Sequence, residues 1–365
     1  MPRVDRGLED VVVAETRLSH IDGTAGRLTY RGQDAIALAE IVPFEAVWHL
    51  LREGRLPDAA GLRDERARLA EAGRLSADER TAVARAVGGA EPLAALRSGI
   101  SALAALRRTR PWLDRDLDAV RGEAVGLAAA FPSVLSAVLG RRADPEGASH
   151  AARALVAATG RRPGAGAERA LDRYLTLVAD HGMNASTFVA RVVASTGADP
   201  GAALVAALGA LSGPLHGGAP GPVLDMLDAI GRPERARDWI AARLDDGHRI
   251  MGFGHRVYRT DDPRAIALRR AARRSGRGRV ELALAVEEAA LEVLAERKPG
   301  RTIRTNVEFW TAVTLEACGV PRSLFTAMFA TARAAGWTAH VLEQAADNRL
   351  IRPQAAYIGP PPPAR

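Results

Sequence analysis

Residues 165–193 read AGAERALDRYLTLVADHGMNASTFVARVV, two runs of helical text joined by a short polar turn. In the first run Leu171, Tyr174, Leu175 and Val178 recur at three- and four-residue spacing, the repeat of one helix face. Gly182 interrupts the repeat. Asn184 or Ser186 then offers a side-chain oxygen to cap the second run, which continues through Val189, Val192 and Val193. This places His181 at a helix junction.

The same pattern governs most of the chain. Ala-, Leu- and Arg-rich segments with helical spacing occupy 35–53, 76–87, 91–106, 145–159, 165–178, 202–211, 233–244 and 280–297. Only residues 7–32 are strand-like, with Val11-Val12-Val13, then Leu18-Ser19-His20-Ile21-Asp22-Gly23, then Arg27-Leu28-Thr29-Tyr30, where Asp22-Gly23 and Gly26 supply turns. The fold is therefore expected to be mainly α with a short β segment near the N-terminus. Helix connections are expected where Gly, Pro and charge gather, at 140–145, 160–164 and 298–300, and a loose tail at the proline run 359–365.

A chain of 365 residues exceeds the size at which one core stops growing, so a large and a smaller domain with a cleft between them are expected. Apolar residues make up 47%, enough for packed cores and unlike a disordered chain. No apolar run approaches the ~18 residues of a membrane span, and Met1-Pro2-Arg3-Val4-Asp5-Arg6 lacks a secretory apolar core, so a cytoplasmic protein is expected. Cys318 is the sole cysteine and excludes an intramolecular disulfide. The net charge of +7 favours anionic ligands, yet the arginines are spread among acids, with no dense basic block or aromatic RNA-binding pattern, so nucleic acid is not expected as a partner.

Four stretches break helical text with glycine and polar residues. They are Asp180-His181-Gly182-Met183-Asn184-Ala185-Ser186-Thr187, Gly213-Pro214-Leu215-His216-Gly217-Gly218-Ala219, and Met251-Gly252-Phe253-Gly254-His255-Arg256-Val257-Tyr258-Arg259 followed by Thr260-Asp261-Asp262-Pro263-Arg264. The fourth begins at Thr305-Asn306-Val307-Glu308-Phe309-Trp310 and resumes at Phe329-Ala330-Thr331-Ala332-Arg333. Taken singly, each His reads as a structural residue and Glu308 as an acid at a helix N-terminus. The glycines lack the third position and strand-to-helix setting of a dinucleotide loop, and the distant histidines lack zinc-ligand spacing, so no metal is expected. No G-x-S-x-G elbow is present.

Together and in this order the motifs resemble the citrate synthase family. The likeness runs from Ser19-His20-Ile21-Asp22-Gly23 and Leu28-Thr29-Tyr30-Arg31-Gly32 to Asn348-Arg349-Leu350-Ile351-Arg352-Pro353, and is loose only over about 56–130. It implies a two-domain helical homodimer, with a large domain over 1–216 and 321–365 and a small domain over 217–320 that closes on the cleft. It implies a Claisen-type condensation of acetyl-CoA with oxaloacetate, followed by hydrolysis of citryl-CoA, the first step of the tricarboxylic acid cycle. By resemblance, Glu308 removes the methyl proton, His216 hydrogen-bonds the thioester oxygen, and His255 polarises the oxaloacetate ketone.

The resemblance further implies that His181, Asn184, Arg264 and Arg333 hold oxaloacetate, with Arg352 arriving from the other subunit. CoA, a co-substrate in a protein with no permanently bound cofactor, would meet Met251, Gly252, Phe253 and Gly254 through its adenine and Arg259 and Arg301 through its phosphates. Most members carry Asp where this chain has Glu308, and a subgroup of short bacterial members carries Glu in the same Asn-Val-Glu-Phe-Trp setting. Two other readings are a 2-methylcitrate synthase using propionyl-CoA and a non-catalytic CoA-binding member. His20, His49, His150, His248 and His340 are read as turn, surface or packing residues.

Overall fold

The computed structural model describes residues 5, 7–8, 11–87, 89–113, 115–141, 148–216, 220–276 and 278–360. A three-stranded antiparallel sheet comes first: β1 (Ser19–Asp22), β2 (Arg27–Tyr30) and β3 (Gln33–Asp34) in the order β1-β2-β3. The first helices are α1 (Ala35–Ile41), α2 (Phe44–Glu53), α3 (Ala59–Ala72), α4 (Ala77–Val87), α5 (Pro92–Leu106), α6 (Leu117–Ala129), α7 (Phe131–Val138) and α8 (His150–Thr159). Next are α9 (Ala165–Val178), α10 (Ala185–Ser195), α11 (Pro200–Leu211), α12 (Pro220–Ile230), α13 (Ala236–Asp245), α14 (Pro263–Ser275), α15 (Val280–Arg297), α16 (Val307–Ala317) and α17 (Phe325–Ala346).

Helix starts follow cap chemistry. Asp34, Asp58, Asp116, Ser149, Asn184, Asp199, Asp262 and Asn306 each accept a backbone N–H from the first turn that no intrahelical carbonyl can reach. The expected helix at 35–53 is two helices. Pro43 disfavours helical backbone at Val42, which is extended, and α2 restarts behind the proline. The segment expected at 233–244 opens as a 3₁₀ turn, Pro233–Arg235, before α13. Of the segment expected at 145–159, residues 145–147 lie outside the described residues and the rest begins at the Ser149 cap. The strand text at Val11-Val12-Val13 forms no strand, and Val12 is exposed, with no neighbouring strand to bury it.

α17 is the hub. It packs against α2, α5, α6, α7, α8, α9, α10, α11 and α12, and its Ala-, Gly- and Thr-rich text lets these neighbours approach closely. Gly336 shows the limit, since a Cβ there would meet the Asp180 side chain at 2.7 Å. α12, α13, α15 and α16 pack on one another, while α14 and α16 also touch α9. The proposed domain boundary at 217 falls on residues outside the described set.

Candidate active site

The site begins where α9 stops. Arg333, on α17 and 1% exposed, donates Nε–H to the Val178 carbonyl at 2.8 Å, an acceptor left over at the helix end. Asp180 is buried and accepts from the Ser19 hydroxyl and the Gly182 amide. His340 Nε2 lies 3.2 Å from Asp180 Oδ1, and Arg191 Nη1, an obligate donor, faces the other His340 nitrogen at 3.2 Å. Burial pushes the Asp180 carboxyl up, but His340, Arg333 and Ser19 outweigh it, so it stays below the usual range. These contacts fix the turn that presents His181, whose Nε2 is 3.3 Å from the Tyr258 hydroxyl.

Asn184, of the two candidates, caps α10. Its Oδ1 accepts from Thr187 N–H at 3.1 Å and its Nδ2 donates to the Gly182 carbonyl at 3.2 Å. Ser186, two residues on, meets His216. Its backbone N–H points at His216 Nε2 from 3.3 Å, and its hydroxyl lies 2.9 Å from the same nitrogen. A backbone amide can only donate, which assigns Nε2 as acceptor and leaves the single proton of a neutral ring on Nδ1. Trp337 Nε1–H donates to the Ser186 oxygen at 3.1 Å and holds it in place. Burial, then Arg333, pushes the His216 imidazole down to about 4, so the ring is neutral near pH 7.

His255 has the opposite tautomer. Val257 N–H and Tyr258 N–H donate to its Nδ1 at 2.9 and 3.0 Å, so the proton lies on Nε2. Burial and Arg264 push this imidazole down to about 4. Its Nε2 faces Arg264 Nη2 at 3.3 Å, two donors side by side that only an oxygen acceptor can serve. Arg264 sits in the first turn of α14, an unfavourable place for a cation near a helix N-terminus. Asp262 offsets this, accepting from Arg264 Nε at 3.0 Å and Nη2 at 2.9 Å, with both side chains buried.

The glycine loop carrying His255 is stitched to the segment carrying Glu308. Asn306 N–H donates to the Gly252 carbonyl, Gly254 N–H to the Arg304 carbonyl, and Asn306 Nδ2 to the Gly254 carbonyl. Gly252 has φ +85°, and a Cβ there would meet Phe309 Cβ at 2.7 Å, so backbone and ring touch directly. Asn306 also caps α16 at Glu308 N–H, which sets Glu308 in its first turn. Glu308 Oε2 is buried with no hydrogen-bond partner. Burial raises this carboxyl to about 7 together with Asp262, against the pull of Arg264 and Arg333.

His181, His216, His255, Glu308, Arg264 and Arg333 are thus brought together, and Arg333 lies near enough to His181, His216 and Glu308 to act on all three electrostatically. Arg352 is not brought in. It is exposed on the C-terminal arm, whose root is held where Ile351 N–H donates to Ser195 Oγ at 3.0 Å. Arg259 and Arg301 lie exposed, while Met251 and Phe253 pack on the core.

Sequence reasoning offered Ser186 only as a helix cap and assigned no role to Tyr258, Asp262 or the Asp180–His340 pair. Asp262-Pro263 carried a signal, an N-cap followed by proline at the first helical position, which puts Arg264 one residue inside a helix. Chemically, the set offers a carboxylate that is half ionised near neutrality, neutral imidazole donors, and two buried guanidiniums. That combination suits proton abstraction beside a carbonyl and capture of a dicarboxylate. Among the described residues no cluster of His, Cys, Asp and Glu could hold a metal ion, and no helix is long and apolar enough to cross a membrane.

Residues 7–354 match the family model "Citrate synthase, C-terminal domain". The chain is 42% identical to "Putative citrate synthase 2" of Mycobacterium tuberculosis over 98% of this chain and 93% of that protein. It is 40% identical to the citrate synthase of Haloferax volcanii over 97% and 95%. Among solved structures it is similar to citrate synthase from Thermoplasma acidophilum in ternary complex with carboxymethyl coenzyme A and oxaloacetate, with TM-score 0.87, 30% identity and coverage of 100% of this chain and 98% of that chain.

Proposed function

The chain belongs to the citrate synthase family, and on that premise we propose that it condenses acetyl-CoA with oxaloacetate and hydrolyses citryl-CoA to citrate and CoA. It is an acyltransferase of the citrate synthase type, acting at the first step of the tricarboxylic acid cycle. The observation that carries the reading is Glu308 Oε2, buried without a hydrogen-bond partner, beside neutral imidazole donors of fixed tautomer.

A thioester methyl is a very weak carbon acid, so a base and a donor at the oxygen must act together. Glu308 takes a methyl proton while His216 Nδ1–H hydrogen-bonds the thioester oxygen, and the C–H electron pair becomes the enol or enolate. That carbon attacks the oxaloacetate ketone, whose oxygen is polarised by His255 Nε2–H and takes the proton as the C–C bond forms. Arg264, Arg333 and His181 hold the substrate, and Asn184 shapes the turn behind His181. Water then cleaves citryl-CoA, which makes the sequence irreversible.

The same reading assigns residues 1–216 and 321–365 to a large domain and 217–320 to a small domain that closes over the cleft. It also makes the protein a cytoplasmic homodimer in which Arg352 completes the other subunit's oxaloacetate site. Two features support the dimer: the partly exposed face of α11 carries Ala202, Val205, Ala206, Gly209 and Ala210, and Leu350, Tyr357 and Ile358 are exposed on the arm. CoA would lay its adenine along the 251–254 backbone and its phosphates by Arg259 and Arg301.

Purified protein with oxaloacetate should release free thiol from acetyl-CoA much faster than from propionyl-CoA. Preference for propionyl-CoA would favour 2-methylcitrate synthesis, and no release from either despite CoA binding would overturn the enzyme reading. Because the base works ionised and its carboxyl titrates near 7, kcat/KM for acetyl-CoA should rise with pH along a one-proton limb centred about 7. A profile flat from pH 5.5 to 8 would remove Glu308 from that role.

A further inference from the structure

We propose that the turn between β1 and β2 is a positioning element for His255, with Gly23 as the residue on which the loop 255–261 is seated. Gly23 O accepts Arg259 N–H at 2.8 Å. A Cβ at Gly23 would overlap the Val257 carbonyl oxygen and meet the carbonyl carbon at 3.0 Å and Val257 Cγ1 at 3.3 Å. Gly26, with φ +63°, makes a second close approach, since its Cβ would stand 2.7 Å from Thr260 Oγ1 and 3.2 Å from the Asp261 carbonyl oxygen. Asp22 holds the turn in shape, accepting Thr24 N–H and Ala25 N–H at 3.1 and 2.7 Å.

The link to His255 runs through one peptide unit. The Val257 carbonyl and the Tyr258 N–H share a plane, so what moves the oxygen swings the hydrogen. The oxygen rests on Gly23, and the hydrogen is one of the two that hold His255 Nδ1 as acceptor and send its proton to Nε2. Pressing on the carbonyl therefore turns the amide away from the ring. The inference rests on His255 as the group that polarises the ketone, and its tautomer can be read without turnover.

Gly23→Ala is the test because Gly23 does not have positive φ. Alanine there meets no left-handed backbone penalty, so the substitution tests the close approach to the Val257 carbonyl alone. The expected result is a folded protein whose thermal midpoint falls modestly as the loop gives way to the new Cβ, with kcat lowered about 10- to 100-fold, the scale of a reacting group displaced by about 1 Å. In ¹⁵N-histidine NMR spectra, with the His255 signals assigned by loss in His255→Asn, the wild type should show Nε2–H alone and the variant should lose that single tautomer. Wild-type kinetics and tautomer in Gly23→Ala would overturn the inference, as would a drop in activity that only follows a lower thermal midpoint with the tautomer intact. If the wild type fails to condense either thioester, the functional reading falls, while the NMR comparison still decides the role of Gly23.

Discussion

Glu308→Gln should lower kcat by roughly 10²–10⁴-fold while leaving oxaloacetate binding and assembly intact. The amide keeps the size of the side chain and the cap at Asn306 but cannot take a proton from carbon. Stability should move the other way. A carboxyl raised to about 7 in the folded chain, from the ordinary glutamate value of 4.5, contributes stability below about 4.5 that is lost as pH rises through 7, because burial opposes its ionisation. The variant should escape that loss, so its thermal midpoint at pH 8 should equal or exceed that of the wild type. Single-turnover thiol release and a thermal melt measure the two effects, and turnover within tenfold of wild type would assign the base elsewhere.

Asp262→Ala should be the most destabilising single change in the site. It leaves Arg264 buried without its bidentate partner and takes away the acceptor for the backbone N–H groups of Arg264 and Val307. Removing one member of a buried ion pair costs about 3–5 kcal/mol. Equilibrium denaturation should show a loss of that order, and a loss below about 1 kcal/mol would mean that the pair is less dry than its burial implies. In protein that remains folded, the oxaloacetate KM should rise about 10- to 100-fold, since Arg264 loses its orientation, with the acetyl-CoA KM much less affected.

The helical class was legible because its signal is local: the Leu171, Tyr174, Leu175 and Val178 face and the cap at Asn184 are written within a turn or two of where they act, as is the Asp262 cap, which the reading passed over. The break at Pro43 was equally local and the 35–53 reading passed over it. The site residues could be picked out because glycine and histidine interrupt that text, and the order of the motifs carried the family. What joins them was not legible. Ser186 and His216 are 30 positions apart, His181 and Tyr258 are 77 apart, and Arg333 reaches Val178 across 155. His340 looked like packing beside Trp337, because its acidic neighbour, Asp180, lies on another helix junction. The carboxyl of Glu308 is likewise set by tertiary burial, which the letters Asn-Val-Glu-Phe-Trp do not express.

Both imidazoles assigned to the proposed reaction are oriented by neutral backbone amides, His216 by Ser186 and His255 by Val257 and Tyr258, where hydrolases of the Ser-His-Asp kind use a carboxylate. A carboxylate would favour a ring that gains a proton, whereas an amide hydrogen opposes it. Both rings are therefore held neutral near pH 7 and present an N–H as donor. In the proposed reaction the rings thus lend hydrogen bonds to developing oxyanions, while the positive charge that holds the substrate stays on Arg264 and Arg333.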